Sequence, residues 1–368
     1  MGGTLDRYIL RSLVVNYLIA LSVMISLYVL LDLFFNMDEF TENEWSVLEV
    51  LGGIFSYYGT NLFKYFAQLS GVITVVAGML TLGRLRRMNE LTALLASGVS
   101  LYRVAVPVIA FGIATTVLWF IDTEVIIPAA AHKLARRHDD PRGDRTYGVW
   151  FQNDRNGALL SAEEFLPSTG NMRRMMVMYR DGSGTVRDVL EAEEARWEPI
   201  DGHPTGGRWK LERADLRRRV VRDPGAVGPQ EEIERASPRY YESDLGPQDI
   251  QMRQSSQWLR YLGSRQLSEL ARAGSGDIQR IAQIRHERFA TPVVNVVMLL
   301  LGIPFLLRRM PGNVLGDAAK CLVVCGLCFV ASVVGQNLSP AGMPALPSWL
   351  PIILFTPLAV VLLDRLQT

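Results

Sequence analysis

Residues 80–107 read LTLGRLRRMNELTALLASGVSLYRVAVP, a short polar-edged helix held between two apolar runs. Arg84, Arg86, Arg87 and Arg103 bracket it, and the positive-inside rule assigns such a cluster to the cytoplasmic face of a membrane. Leu91, Leu94 and Leu95 fall at i, i+3 and i+4 and form one apolar stripe, with Glu90 beside it. The pattern predicts a cytoplasmic helix over about residues 84–97, built to be gripped by a partner. The competing reading is a helix lying in the lipid interface, which accounts for the arginines and leucines but less well for the carboxylate.

Working outward, each flank of this segment is a membrane span. Toward the N-terminus lie a long apolar run, Val50 to Gly83, and before it Ser12 to Asn36. At 1.5 Å per residue each is long enough for a hydrocarbon core of about 30 Å. Lys64 breaks the longer run; with Tyr57, Tyr58 and Tyr65 it is expected at the outer interface as an aromatic belt. The loop between the two spans carries Asp38, Glu39, Glu42, Glu44 and Glu49 and no Lys or Arg, which fits an outside location. Asp32, near the outer end of the first span, is expected to reach up to water. Leu13 to Phe35 exceeds the apolar core of a cleavable signal and no A-x-A-like site follows, so a permanent span is expected.

On the other side, Leu101 to Ile127 returns the chain outside, ending near Asp122, Glu124 and Pro128. Three further spans are expected near the C-terminus: Phe289 to Leu307, Ala318 to Val334 and Trp349 to Leu363. Arg308, Arg309 and Arg365 mark inside ends. The prediction is six spans with both termini cytoplasmic. Residues 1–135 hold spans one to three, 136–265 an external domain, and 266–368 a connecting helix with spans four to six.

The external segment has a different texture. TYGVWF, GALLSAEEF, MMVMYR and GRWKLERADL alternate apolar and polar, and NDRNG, PSTGN, DGSG, PIDGHPTGG and DPGAVGPQ punctuate them. Short strands between such turn clusters predict an antiparallel β-sandwich or jelly-roll. LEAEEARW at Leu190 to Trp197 is read as a further strand, although its composition would also suit a helix. The fold class is therefore an α-helical membrane protein with an inserted antiparallel β-domain.

Chemistry is sparse. The formal net charge of +1 lacks the basic excess of a general nucleic-acid binder. No G-x-x-x-x-G-K-[ST] loop and no H-E-x-x-H occurs, so nucleotide binding by that loop and that zinc motif are absent. His132, His138, His203 and His286 are dispersed, and no nucleophile–base pair emerges, so no catalytic residue and no metal site is assigned. Cys321, Cys325 and Cys328 share one helix face; a metal site is conceivable, but a close helix contact suits small polarisable side chains better. Arg285 and Arg288 place positive charge at the head of the fourth span, where guanidinium can grip phosphate bidentately or reach to lipid headgroups. Pro292 is read as lying in the first turn of that span.

These residues resemble a known family. Glu90-Leu91, Ala93-Leu94, Gly98, Ser100 and Arg103 are similar to the coupling-helix pattern of the LptF/LptG lipopolysaccharide-export permeases. Arg288, Phe289, Pro292, Gly302 and Pro304 in RHERFATPVVNVVMLLLGIPFLLRR resemble its fourth-span signature, and Val149-Trp150, Val177-Met178-Tyr179 and Trp209-Lys210-Leu211 its strands. LDRYILR with LYVLLDLFFNMDEF looks more like the LptG half than the LptF half.

The resemblance implies the permease subunit of an ABC-type exporter. Such a subunit would extract lipopolysaccharide, or a related glycolipid, from the outer leaflet of the inner membrane of a Gram-negative-type bacterium. It would pair with a second, LptF-like permease half, hand its cargo to an LptC/LptA-like periplasmic bridge, and hold its β-domain in the periplasm. An LptB-like cytoplasmic ATPase dimer would bind ATP and Mg, leaving this chain without a cofactor of its own. Arg84, Arg87, Glu90, Leu91, Leu94 and Arg103 would serve ATPase coupling, and Tyr28, Asp32, Arg285, Arg288 and Phe289 would meet the lipid. The alternative is an ATPase-coupled mechanotransmission or scaffold protein that carries no lipid itself.

Overall fold

The computed structural model describes residues 3–37, 47–134, 146–154, 157–182, 184–200, 206–222, 230–255, 257–272, 278–307, 313–338 and 342–364. The acidic loop residues Asp38 to Glu44, His138, His203, Arg308, Arg309 and Arg365 lie outside the described residues, as do the side chains of Glu49 and His132.

The chain opens with α1 (Thr4–Phe35) and α2 (Val47–Arg87), followed by α3 (Glu90–Ala96) and α4 (Leu101–Ile121). A π-type turn, Asp122–Ile126, and two short helical turns, Ile127–Ala129 and Ala131–Leu134, extend α4. Then come β1 (Tyr147–Asn153), β2 (Leu159–Leu166), β3 (Asn171–Arg180), β4 (Val186–Pro199), β5 (Gly207–Arg222), β6 (Gln230–Ala236) and β7 (Tyr240–Tyr241). The C-terminal part is α5 (Pro247–Gln254), α6 (Trp258–Tyr261), α7 (Ser264–Arg272), α8 (Ile278–Leu306), α9 (Val314–Asn337) and α10 (Leu346–Asp364).

Among the described residues six stretches are long and apolar enough to cross a membrane: Thr4–Phe35, Ile54–Arg87, Leu101–Ala129, Ile278–Leu306, Val314–Asn337 and Leu346–Asp364. The six-span architecture with an inserted antiparallel β-region stands as the sequence predicted it.

In the apolar middle of the bundle, small residues set the helix spacing. A Cβ on Gly71 would collide with Asn295, and one on Gly112 with Leu299, so α2 and α4 lie directly against α8. Cys321 and Cys325 close on Gly302, whose Cβ would sit 3.1 Å from the Cys321 sulfur, and the Cys325 thiol reaches the Met298 carbonyl at 3.3 Å. The cysteine face is thus the α8–α9 contact. Among the described residues no cluster of His, Cys, Asp or Glu could hold a metal. A few polar side chains join the helices across the apolar interior: Asn16 to Thr81 at 2.8 Å, Thr74 to Thr115 at 3.2 Å, and the Trp119 indole to the Ala67 carbonyl at 2.8 Å.

Three readings of the sequence are corrected. Tyr57, Tyr58 and Tyr65 form no outward belt; they are buried between α1 and α2 with Tyr28, because apolar ring area gains more from that seam than from the surface. Asp32 does not simply reach to water, since its carboxylate accepts the Tyr58 hydroxyl at 2.9 Å. Pro292 lies well inside α8 rather than in its first turn, because the helix already starts at Ile278.

The strands run antiparallel in the order β1-β2-β3-β4-β5-β6, a meander in one sheet, and β7 pairs the first part of β5. LEAEEARW lies within β4. The sheet gains its curvature from a shared break in alternation. Ala162, Met175 and Ala192 point inward, and Phe165, Met172 and Ala195 point inward again, but two charged residues rather than one separate them on each strand. These are Glu163-Glu164, Arg173-Arg174 and Glu193-Glu194, with Glu212-Arg213 continuing the rows onto β5. Arg174 and Arg213 take left-handed φ of 49° and 51° there and pair with Glu163 at 2.6 Å and Glu193 at 2.7 Å. Two outward rows in succession bend a sheet into a corner, the device by which strands pass from one layer of a sandwich to the next.

The concave face buries Trp209, Phe165, Leu160 and Met172. Asp154, only 6% exposed, closes one end: it accepts from the Tyr241 hydroxyl at 2.7 Å, the Ser243 hydroxyl at 2.5 Å and the Asp244 amide at 2.8 Å. Burial, and then the Asp154 charge, push the Tyr241 phenol well above the usual tyrosine range. A raised phenol pKa means that the folded state holds the proton more tightly. That stability is fully present below about pH 10 and is lost as pH rises beyond it. Asp154→Ala strands these buried donors and is expected to cost the β-region about 3 kcal/mol. Tyr241→Phe should cost about 1 kcal/mol and flatten the loss of stability above pH 10; urea unfolding followed by tryptophan fluorescence checks both.

Candidate functional site: a polar cavity and its clasp

Two places gather side chains whose chemistry the packing alone does not require. One lies at the sheet-bearing end of the bundle, the other at the basic end.

At the sheet-bearing end α4 gives way to the π-type turn, in which the Ile127 amide bonds back to the Asp122 carbonyl. Pro128, which has no N–H, follows directly. The extra residue of such a turn rotates the side chains around it, and here it sends Asp122 into the interior and Glu124 toward α8. Arg288 meets Glu124 at 2.6 Å, with side-chain exposures of only 8% and 18%. The guanidinium also donates to the carbonyls of Arg260 and Leu262 and to the Ser264 hydroxyl. Glu124 in turn accepts the Ser264 amide at 3.0 Å and its hydroxyl at 2.6 Å, at the start of α7. Nearby, Arg260 bridges Glu287 at 3.5 Å and the Gln336 carbonyl at 3.1 Å, while Gln283 reaches the Leu338 carbonyl at 2.6 Å. This clasp joins α4, the segment returning from the sheet, α8 and the end of α9.

Beneath the clasp is a cavity of roughly 320 Å³. Arg260, Glu287 and Arg288 form its roof, Tyr28, Trp119 and Phe329 its apolar sides, and Lys64, Gln68, Asn295 and Ser332 its polar lining. The half-buried Lys64 ammonium has no acidic partner among the described residues, and the buried Asn295 amide nitrogen makes no hydrogen bond. An unpaired cation beside an unmatched donor and apolar walls suits an amphiphile bearing a negative group.

Of the residues the sequence marked for lipid, Tyr28 and Arg288 line this cavity, and the Tyr28 ring packs at a tilt against Tyr65, with centroids 4.6 Å apart. Asp32 lies one turn farther along α1, bonded to Tyr58. Arg285 and Phe289 are exposed on the outer surface of α8 and do not line the cavity. Lys64, Asn295 and Glu124 went unassigned. Lys64 left a signal, a single charge inside an apolar run. Glu124 left none, because its pairing spans 164 residues.

At the basic end α2 stops at Arg87. Asn89, in the left-handed conformation at φ 59°, turns the chain into α3, and Gly98 at φ 85° turns it out again. The helix is shorter than the predicted 84–97, and Arg84 and Arg87 are exposed on the last turn of α2, where cations complement the helix dipole. Leu91 is 2% exposed and packs in the bundle core, and Leu94 and Leu95 lean on the same core. The apolar stripe therefore holds α3 to the bundle, and Thr92, Ala93 and Ala96 face outward. Glu90 accepts the Tyr8 hydroxyl at 2.7 Å, Arg103 pairs with Asp6 at 3.2 Å, and Arg86 pairs with Asp317 at 2.9 Å.

Breaking a buried ion pair leaves a bare charge, so Glu124→Gln and Arg288→Met are each expected to lower stability by about 3–5 kcal/mol. The double variant Glu124→Leu/Arg288→Met should recover most of that loss in thermal melting of the detergent-solubilised chain.

A search of curated proteins finds no match. A family model described as "Lipopolysaccharide export system permease LptF/LptG" matches residues 7–365, nearly the whole chain. The match spans the six apolar helices, the segment around α3 and the inserted sheet together, and the chain is a multi-pass inner-membrane protein of the LptF/LptG family of lipopolysaccharide export permeases.

Proposed function

We propose that this chain is one half of an exporter that lifts lipopolysaccharide, or a related glycolipid, out of the membrane, driven by a separate cytoplasmic ATPase. The observation that carries the reading is the cavity under the clasp, where apolar walls meet Lys64, which has no acidic partner among the described residues. Acyl chains suit Trp119 and Phe329, and a phosphate suits Lys64 and the free Asn295 amide. Tyr28 lines the same space, while Arg288 supports it from the clasp. Arg285 and Phe289, exposed on α8, face the surrounding lipid, and Asp32 lies on the approach along α1.

In this reading the basic end is cytoplasmic, as are both termini, and the sheet is periplasmic, its edge strands open to extension by a bridging protein. The ATPase would sit against α3. Glu90, half exposed at its first turn, offers a carboxylate to a basic site, Arg84 and Arg87 flank it, and the outward Thr92, Ala93 and Ala96 allow close approach. Leu91 and Leu94 pass the resulting push into the core, and Arg103 holds the start of α4. A second, LptF-like half would complete the pathway, and ATP and Mg would stay with the ATPase.

Mild-detergent purification with mass spectrometry of the accompanying proteins and lipids tests the whole reading. An ATP-binding subunit, a second permease and a glycolipid are expected; an ATPase without glycolipid would point instead to mechanotransmission. Lys64→Ala is expected to lower photo-crosslinking of a phosphorylated glycolipid by about tenfold, the scale of one charge-assisted contact, and an unchanged yield counts against the cavity as the lipid site. Glu90→Ala is expected to lower ATPase retention by about tenfold or to uncouple hydrolysis from transport.

A further inference from the structure

The start of α1 is fastened to the coupling segment by two polar contacts and by apolar packing. Tyr8 donates its hydroxyl to Glu90 Oε2 at 2.7 Å. Asp6, 8% exposed, receives the Arg103 guanidinium at 3.2 Å. Ile9 and Leu13, 0% and 1% exposed, pack in the same core as Leu91, Leu101 and Val104. Beyond this point α1 packs against α2 along one side only, through Asn16–Thr81, Tyr17 and Ala20, and Asp32–Tyr58; 11% of its most apolar window is buried, against 56% for α2. The coupling helix is set at an angle to its neighbours in sequence by Asn89 and Gly98, both in the left-handed conformation. A displacement of α3 is passed on through its apolar face into the core and through the Tyr8–Glu90 hydrogen bond into α1.

We propose that Tyr8 is a positioning residue for Glu90, and that through Tyr8 the coupling helix moves α1, whose same end the Asp6–Arg103 pair ties to the start of α4. The phenol holds Oε2 and so fixes the plane of the carboxylate, while Oε1 makes no hydrogen bond among the described residues and stays available to a guanidinium or ammonium of the ATPase. Because α1 spans the membrane and carries Tyr28 against the cavity, its motion changes the cavity wall. This inference rests on the reading of Glu90 as the ATPase contact.

The test uses the complete complex, with ATPase and second permease half, in nanodiscs. Spin labels on Phe34→Cys, at the exposed far end of α1, and Val117→Cys, on the lipid face of α4, report the distance between the two helices with and without ATP-vanadate. The unsubstituted pair is expected to shift on nucleotide trapping. Tyr8→Phe is expected to abolish the shift and lower transport-stimulated hydrolysis about fivefold or more, while ATPase retention changes by less than about threefold. Tyr8→His, which can still donate a hydrogen bond, should restore at least part of both. A wild-type shift in Tyr8→Phe, or no shift in the parent, overturns the proposal. Loss of ATPase retention in both Tyr8 variants also overturns it, by making Tyr8 part of the docking surface. Glu90→Gln separates the two levels: unchanged retention and coupling there sink the reading of Glu90 itself, whereas uncoupling in Glu90→Gln with none in Tyr8→Phe sinks only the present inference.

Discussion

The Glu124–Arg288 pair is the constraint around which the sheet-bearing end is built. Removing two charges from water is costly, and the pair endures because its own oxygens and guanidinium N–H groups find further partners. The π-type turn aims the carboxylate, two carbonyls of the returning segment and the Ser264 hydroxyl complete the guanidinium, and the start of α7 supplies an amide to Glu124. With Arg260 and Gln283 reaching the end of α9, the network ties together elements far apart in sequence and leaves the cavity beneath them open.

The basic end uses the same principle for a different purpose. Arg86–Asp317 joins α2 to α9 and is more buried than the clasp, with side-chain exposures of 6% and 7%. Asp6–Arg103 and Tyr8–Glu90 are more open to solvent. Between the two ends the bundle is held by close approach of Gly71, Gly112 and Gly302 to their neighbours, packing that tolerates little change in spacing. Charge at both ends and small residues in the middle make a body in which a local displacement has few ways to dissipate.

The sheet shows how far a local pattern can be read. Its strands and turns were legible from alternation and from Gly, Pro, Asn and Asp, and LEAEEARW took the strand form that its neighbours favoured. The corner was also written in the chain, as doubled charges in SAEEF, MRRMM and AEEARW, but it acquires meaning only when register aligns the doublets across the strands. Asp154 gave no sign of its importance, because its partners Tyr241 and Ser243 come 87 and 89 residues later.

Sequence alone determined the six spans, the insertion of a β-region between the third and fourth, and the charged segment from Arg84 to Arg103, because hydropathy, alternation and loop charge act over a few residues at a time. Tertiary structure alone decided that Arg288 meets a carboxylate, that Lys64 faces a cavity, that the three tyrosines turn inward, and that Leu91 holds α3 to the core rather than facing outward. The physical reason is the same in each case. A side chain's partner is set by which helices lie side by side, and that depends on the summed packing of the whole bundle, which no local window of sequence contains.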